Sequence, residues 1–379
     1  MPDPERVGRL DLANIVRAHR AELESIRRLS RRRKRVLTDI ANCRTAAIGG
    51  HLDRCLGCGY EHPAYNSCRN RHCPKCQALA QEKWIEEQRT RLLDVPHFHV
   101  VFTLPAELRP LAAFAPCTIY DALFHAAAST LKSFARSRLS ATLGATLVLH
   151  TWTRKLELHP HVHAIVTGGG LSRDGARWCA APQSFLFPVK AMSRVLRGKM
   201  MARLRRAQRA GRFKRFSDFR DPQAFARLMR TIAKLSWHVY AKPSFSRSEY
   251  VLQYLGRYTH RVGLANSRLL CVTDTSVTFR TKGSGTLTLP PVEFLRRFLL
   301  HVLPDRFHKI RHIGLYANRE KRARVHALLG TSVPPRAQRS WPERLFALTG
   351  RDVSRCPRCH ALLVSSVLPA IRAPPEARP

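Results

Sequence analysis

The chain has 379 residues, 44% of them hydrophobic, which is enough length and apolar content for two or three packed domains and excludes a disordered tail. Lys and Arg number 66 against 26 Asp and Glu, giving a formal charge of +40 and an isoelectric point near 11.3. A folded protein tolerates that self-repulsion best when its partner is a polyanion such as DNA or RNA. An arginine-rich proteome would raise the basic count without depleting the acids this far. No run approaches the roughly 18 uncharged apolar residues of a membrane helix, and Met1-Pro2-Asp3-Pro4-Glu5 lacks the basic start of a secretory leader. An intracellular, cytoplasmic protein with no membrane partner is expected, its eleven cysteines reduced and available to metal.

Residues 1–40 are predicted helical, with Leu10, Leu12, Ile15, Val16, Leu23, Ile26 and Leu29 at roughly helical spacing. The helix is predicted to end in Arg31-Arg32-Arg33-Lys34-Arg35, a solvated face or a phosphate contact. Residues 41–78 hold six of the eleven cysteines and too few aliphatics for an unaided core, so a metal must supply stability there. A helix over 81–93 and a strand over 98–104 closed by Pro105 come next, then an Ala-rich helix over 111–139. Strands over 145–152 and 156–166 are joined by Thr153-Arg154-Lys155, so the pattern predicts an antiparallel sheet with helices on one face.

Residues 190–237 read as basic helix, carrying Lys199, Arg203, Arg205, Arg206 and Arg209. Another helix opens at Ser246 to Glu249, three short strands lie near 269–272, 277–281 and 286–289, and helices continue to about Leu329. Pro334-Pro335 marks a linker before the last segment. The expected class is α+β: an N-terminal helix with a small zinc ribbon (1–94), a domain with a central antiparallel sheet and extra basic helices (95–330), and a Pro-rich linker with a final CxxC segment (331–379).

Cys55-Leu56-Gly57-Cys58 and Cys73-Pro74-Lys75-Cys76 are two CxxC knuckles at zinc-ribbon separation, and two such knuckles complete a closed tetrahedral site. Cys43, His51, Cys68 and His72 are left over nearby as a second, interleaved set. Cys356-Pro357-Arg358-Cys359 is half a site, to be completed by His360 or another chain, and Cys117, Cys179 and Cys271 read as core thiols.

In Leu158-His159-Pro160-His161-Val162-His163 the imidazoles alternate within an apolar run, so an extended strand turns His161 and His163 to one side. Any single histidine of this kind is ordinarily just a strand residue. Several in register ahead of Gly168-Gly169-Gly170, where a Gly-rich turn is expected, point to a metal site. Tyr250, Tyr254 and Tyr258 stand at four-residue steps and share one helical stripe, interleaved with Arg257, His260 and Arg261. An aromatic core stripe is the ordinary alternative. A phenol, with a reference pKa near 10, becomes a nucleophile only beside a cation that stabilises phenolate. A metal at His161 and His163 would supply that field, and tyrosine attack on a DNA phosphodiester would leave a 5′-phosphotyrosine and a free 3′-OH.

These residues resemble the HUH endonuclease superfamily, with His161-Val162-His163 as the HUH triplet, and more closely the two-tyrosine rolling-circle transposases of insertion-sequence family ninety-one. The likeness is carried jointly by Cys43-Arg44-Thr45, by the stretch from Tyr65 through Arg69, Arg71, His72 and Cys76, by Phe98-His99-Val100-Val101-Phe102-Thr103-Leu104-Pro105, by His159 to Gly170, and by Tyr254-Leu255-Gly256-Arg257-Tyr258. The resemblance implies a zinc-binding DNA module followed by an HUH nuclease domain. It also implies magnesium or manganese at the histidine pair and tyrosines that nick and join single-stranded element ends. By it, Tyr250 and Tyr254 are the nucleophiles, with Tyr258 as the other partner for Tyr254. The third metal ligand comes from His159, Glu157 or Gln253. Arg69, Arg71, Lys75, Arg257 and Arg261 are expected to contact DNA near the nucleoid. The rival readings are a replication initiator or relaxase with the same chemistry, and a non-catalytic zinc protein that binds nucleic acid. Absence of GxxxxGKS argues against a fused replicative helicase.

Overall fold

The computed structural model describes residues 10–182, 186–219, 221–245, 250, 251, 256, 263–335 and 339–371. The expected N-terminal helix is two helices, α1 (Leu12–Ile26) and α2 (Arg31–Ala41). Ser30 separates them: its side chain accepts from the Arg33 amide and starts a new helix, so the basic run opens α2 instead of closing α1. Leu12, Ile15, Val16 and Leu23 of α1 pack on Val36, Leu37 and Ile40 of α2. The same core takes in Phe294, Leu295, Phe298 and Leu299. After α2 come the hairpin strands β1 (Gly50–Cys55) and β2 (Glu61–Tyr65), then α3 (Gln77–Arg89).

The central sheet is antiparallel, as its alternating apolar strands lead one to expect. Its strands are β3 (His97–Thr103), β4 (Ala141–Trp152), β5 (Leu158–Ser172), β6 (Trp178–Ala180), β7 (Val239–Phe245) and a strand at Ile310–Gly314, numbered β11 below. The order is β11-β4-β5-β3-β7, with β6 pairing the far end of β5. Helices α4 (Arg109–Phe114) and α5 (Pro116–Phe134) lie between β3 and β4 in the chain, and α6 (Val189–Arg209) and α7 (Ala224–Lys234) between β6 and β7. On one face Val162, Ala164 and Val166 of β5 join Phe98, Val100 and Phe102 of β3 in a core with Leu123 and Leu131 of α5 and Leu196 and Met200 of α6. The period of two then turns His161, His163 and Ile165 to the opposite face. There Ile165 meets Leu92 and Val251, with Trp84 and Ile85 of α3 packed around them.

The glycine run is not a turn, as its composition suggests, but part of β5. A Cβ on Gly168 would come within 2.9 Å of the Pro96 carbonyl oxygen, and one on Gly170 within 2.7 Å of that of Thr142, so glycine permits close strand approach. A second sheet comprises β8 (Leu269–Val272), β9 (Val277–Arg280) and β10 (Thr286–Leu289), followed by α8 (Pro291–Leu299), β11 and α9 (Arg319–Leu329).

The chain ends in α10 (Trp341–Thr349) and β12 (Leu363–Leu368). Here the third expected region departs from a simple linker and tail: β12 pairs antiparallel with β1, Gly50 opposite Leu368 and Cys55 opposite Leu363. The class is α+β as expected, and among the described residues no helix is long and apolar enough to cross a membrane.

Candidate functional site

The four cysteines expected in one ribbon are divided between two clusters. Cys43, Cys68, Cys73 and Cys76 form one, and Cys55, Cys58, Cys356 and Cys359 the other; in each, all sulfurs lie within 4.8 Å of one another. The hairpin forces the division. Gly50 pairs with Tyr65 at its base, next to Cys68, whereas Cys55 lies five residues along β1, about 17 Å away at strand rise. One ion cannot span that length. Of the leftover set, Cys43 and Cys68 join the base cluster, but His51 lies 3.5 Å from Asp53 and His72 belongs to neither cluster. Burial and its cationic neighbours hold His72 near 3. Cys117 and Cys271 are exposed and Cys179 half-buried, contrary to their reading as core thiols.

Sulfur separations of 3.2 Å for Cys43 to Cys76 and 3.6 Å for Cys68 to Cys76 approach the edge of a zinc tetrathiolate, about 3.8 Å for a metal–sulfur bond near 2.3 Å. Hydrogen bonds from Cys43, Cys68 and Cys73 drive the Cys76 thiol far down, and the sulfur of Cys68 brings Cys43 to about 7. The donor set fits a closed structural zinc site.

The histidine face gathers more than the two expected ligands. His150 of β4 lies directly across from His161 of β5, and His150, His161 and His163 bring their ligand nitrogens within 4.8 Å of one another. Leu147 and Leu149 point into the helical core, so alternation sends His150 to the other face. The third member is therefore His150, which the sequence reading missed. His159 is drawn aside, its Nδ1 accepting from the Arg109 guanidinium at 3.1 Å. Glu157 is exposed and 3.4 Å from the Thr153 hydroxyl in the turn. Gln253 lies outside the described residues.

Ring orientations are fixed from behind. The Nδ1–H of His161 donates to the His159 carbonyl at 2.6 Å, leaving Nε2 as its lone-pair nitrogen. His163 Nδ1 lies 2.9 Å from His99 Nε2, an orienting partner on β3. Burial lowers His161 and His99 to about 4, so both imidazoles are neutral near pH 7. Three imidazole nitrogens from two rigid strands fit a divalent cation.

Of the three tyrosines only Tyr250 is described, and it is 54% exposed; Tyr254 and Tyr258 lie outside the described residues, as do Arg257 and Arg261. Val251 and Gly256 bracket Tyr254 in the chain. Val251 is buried against Ile165, two residues along β5 from His163, and a Cβ on Gly256 would meet Ile85 of α3 at 2.4 Å. Both bracketing residues thus sit in the layer over the histidine face.

Two expected DNA contacts are committed elsewhere. Arg71 donates to the carbonyls of Phe307 and Pro304, and Lys75 pairs with Asp11 at 2.6 Å. Arg69 stays exposed beside a cleft of 430 Å³ that Arg32, Arg35 and Arg306 also line. A smaller cavity between Arg71, His72, Trp152, His301 and Lys309 reaches toward the histidines, since the Trp152 ring stacks on His150 at 4.8 Å.

Residues 144–324 match the family model described as "Putative transposase", and residues 15–104 match the "Transposase zinc-binding domain". The two together define a transposase with an appended zinc-binding domain. The chain is 42% identical over 390 residues to "Putative transposase y4qJ" of Sinorhizobium fredii, covering 97% of each chain. It is also 30% identical over 381 residues to "Transposase for insertion sequence element IS801" of Pseudomonas savastanoi pv. phaseolicola, covering 95% of this chain and 89% of that one. No solved structure matches. The chain belongs to the IS91 family of transposases. Membership implies an enzyme that binds and cuts DNA, and the base cluster, which lies wholly within residues 15–104, fits the structural zinc that the matched zinc-binding domain implies.

Proposed function

We propose that this transposase nicks and rejoins single DNA strands at element ends, in rolling-circle transposition, through a 5′-phosphotyrosine on an HUH-type nuclease domain. The observation that carries the reading is the cluster of His150, His161 and His163, nitrogens within 4.8 Å, on the sheet face overlaid by the residues that bracket Tyr254. Magnesium or manganese held there would supply Lewis-acid polarisation of the scissile phosphate.

The chain's own part is positioning and attack. His99 and the His159 carbonyl hold two rings so that their ligand nitrogens converge. The Tyr254 hydroxyl attacks phosphorus as its proton passes to solvent; the P–O bond to the 3′ oxygen breaks, and that oxygen leaves as a hydroxyl once protonated. One phosphodiester replaces another, so no ATP is consumed. Tyr250, 54% exposed, is the second nucleophile, with Tyr258 as the alternative partner for Tyr254. Arg69, Arg257 and Arg261 contact backbone phosphate.

The test uses labelled single-stranded DNA from element ends with manganese. An SDS-stable protein–DNA adduct is expected with the wild type, diminished in His150→Ala and absent in Tyr250→Phe/Tyr254→Phe. Failure to form an adduct on any element-end sequence, or full adduct with the double Phe variant, overturns the proposal.

A further inference from the structure

Cys356 and Cys359 lie beyond both segments matched by the family models, yet they return to the tip of the N-terminal hairpin, where their sulfurs meet those of Cys55 and Cys58. Cys55 and Cys359 sulfurs are 3.3 Å apart, and those of Cys58 and Cys356 3.6 Å, separations close to a zinc tetrathiolate edge of about 3.8 Å. The four residues come from opposite ends of the chain.

The two halves are built alike. The Cys55 amide donates to the Tyr60 carbonyl at 2.8 Å, and the Gly59 amide to that of Cys55 at 3.0 Å. Likewise the Cys356 amide donates to the Ala361 carbonyl at 2.8 Å, and the His360 amide to that of Cys356 at 3.0 Å. Each knuckle closes on a left-handed residue, Gly59 at φ 68° and His360 at φ 60°. Glycine takes that conformation freely, whereas for histidine it costs about 1 kcal/mol, which something in the fold must offset.

Burial does not offset it. Strand β12 lies along β1 over six residue pairs, but Val364 is 53% and Val367 85% exposed. A short edge strand that buries so little apolar surface does not hold itself in place. A metal at the knuckles does, because closing a site between distant parts of a chain converts binding energy into folding energy.

We infer that Cys55, Cys58, Cys356 and Cys359 hold a second structural zinc ion, which clips the C-terminal strand β12 onto the N-terminal hairpin. Loading exchanges thiol protons for four zinc–sulfur bonds, and the protons pass to solvent. Zinc content then depends on residues at both ends of the chain.

Two measurements on the full chain test this. Metal analysis is expected to give two zinc ions per wild-type chain. Cys356→Ser/Cys359→Ser should hold one, Cys55→Ser/Cys58→Ser one, and the variant with all four substitutions still one, since all remove the same site. The second measurement needs no substitution: iodoacetamide labelling read by mass spectrometry, under reducing conditions, before and after zinc is stripped with a chelator. Cys58 and Cys359 are exposed, as are Cys117 and Cys271, which belong to neither cluster. Cys117 and Cys271 should label in both states, and Cys58 and Cys359 only after stripping. One zinc ion in the wild type, two in Cys356→Ser/Cys359→Ser, or Cys359 labelling as fast as Cys271 in the zinc-replete chain overturns the inference.

Discussion

Replacing Lys309 by methionine should stabilise the protein near neutral pH. Lys309 lines the small cavity with Arg71, His72 and Trp152, and burial, with the Arg71 charge adding to it, lowers its ammonium from 10.5 to about 8. No acid pairs with it among the described residues. A fall from 10.5 to about 8 corresponds to about 3 kcal/mol between protonation states. Part of the side chain is still reached by water, so about 2 kcal/mol is the working figure. Because the folded state binds this proton less tightly than the unfolded state, the wild type carries the full penalty below pH 8 and regains stability as pH rises from 8 toward 10.5. Lys309→Met, a near-isosteric apolar residue, removes the penalty. Denaturant unfolding of both proteins in one zinc-replete buffer should show the variant ahead by about 2 kcal/mol at pH 7, with less than half of that lead left near pH ~9.5. A variant less stable than wild type at pH 7, or a lead independent of pH, would refute the reasoning.

Three further outcomes follow from the same geometry. His99→Ala should weaken manganese binding by about 10–100-fold in calorimetry while leaving the fold intact by circular dichroism, because His163 loses the partner that orients it; unchanged affinity would remove His99 from the site. Gly314→Ala should cost more than about 3 kcal/mol, since a Cβ there would stand 1.8 Å from the Leu143 carbonyl oxygen at φ +58°; a thermal melt within a degree or two of wild type would contradict it. DNA affinity, measured by anisotropy across a salt series, should fall with a log–log slope of about −4 or steeper, as a net charge of +40 predicts through counterion release; a slope shallower than about −2 would mean that the charge serves something else.

What the sequence made legible follows the range of the interaction behind it. Strands β3, β4 and β5 and the short trio β8 to β10 were readable because alternation is written within each segment. Strands β7 and β11 were not. β7 contains Pro243 and Lys242, and β11 is an Arg- and His-bearing edge strand of intermediate burial throughout, so neither displays a clean period of two. Helix α10 carried a readable signal, the Ser340 to Glu343 capping box, in a stretch that otherwise looks like linker.

The site residues divide in the same way. In the β4–β5 hairpin His161 faces His150, but the register shifts between His150 and Trp152, so a count outward from the turn at Arg154-Lys155 misses the pair. Candidates for a third donor read from sequence are therefore His159, Glu157 and Gln253, whereas the imidazole that joins His161 and His163 comes from across the strand, at His150. No hairpin links Cys55 to Cys356. Their meeting depends on a chain of about three hundred residues returning to its start, and the local sign of it is that Cys356-Pro357-Arg358-Cys359 is half of a tetrahedral site. Two unsatisfied CxxC halves in one chain are each other's simplest partners, because a tetrahedral metal needs four donors and each knuckle turns tightly enough to offer only two.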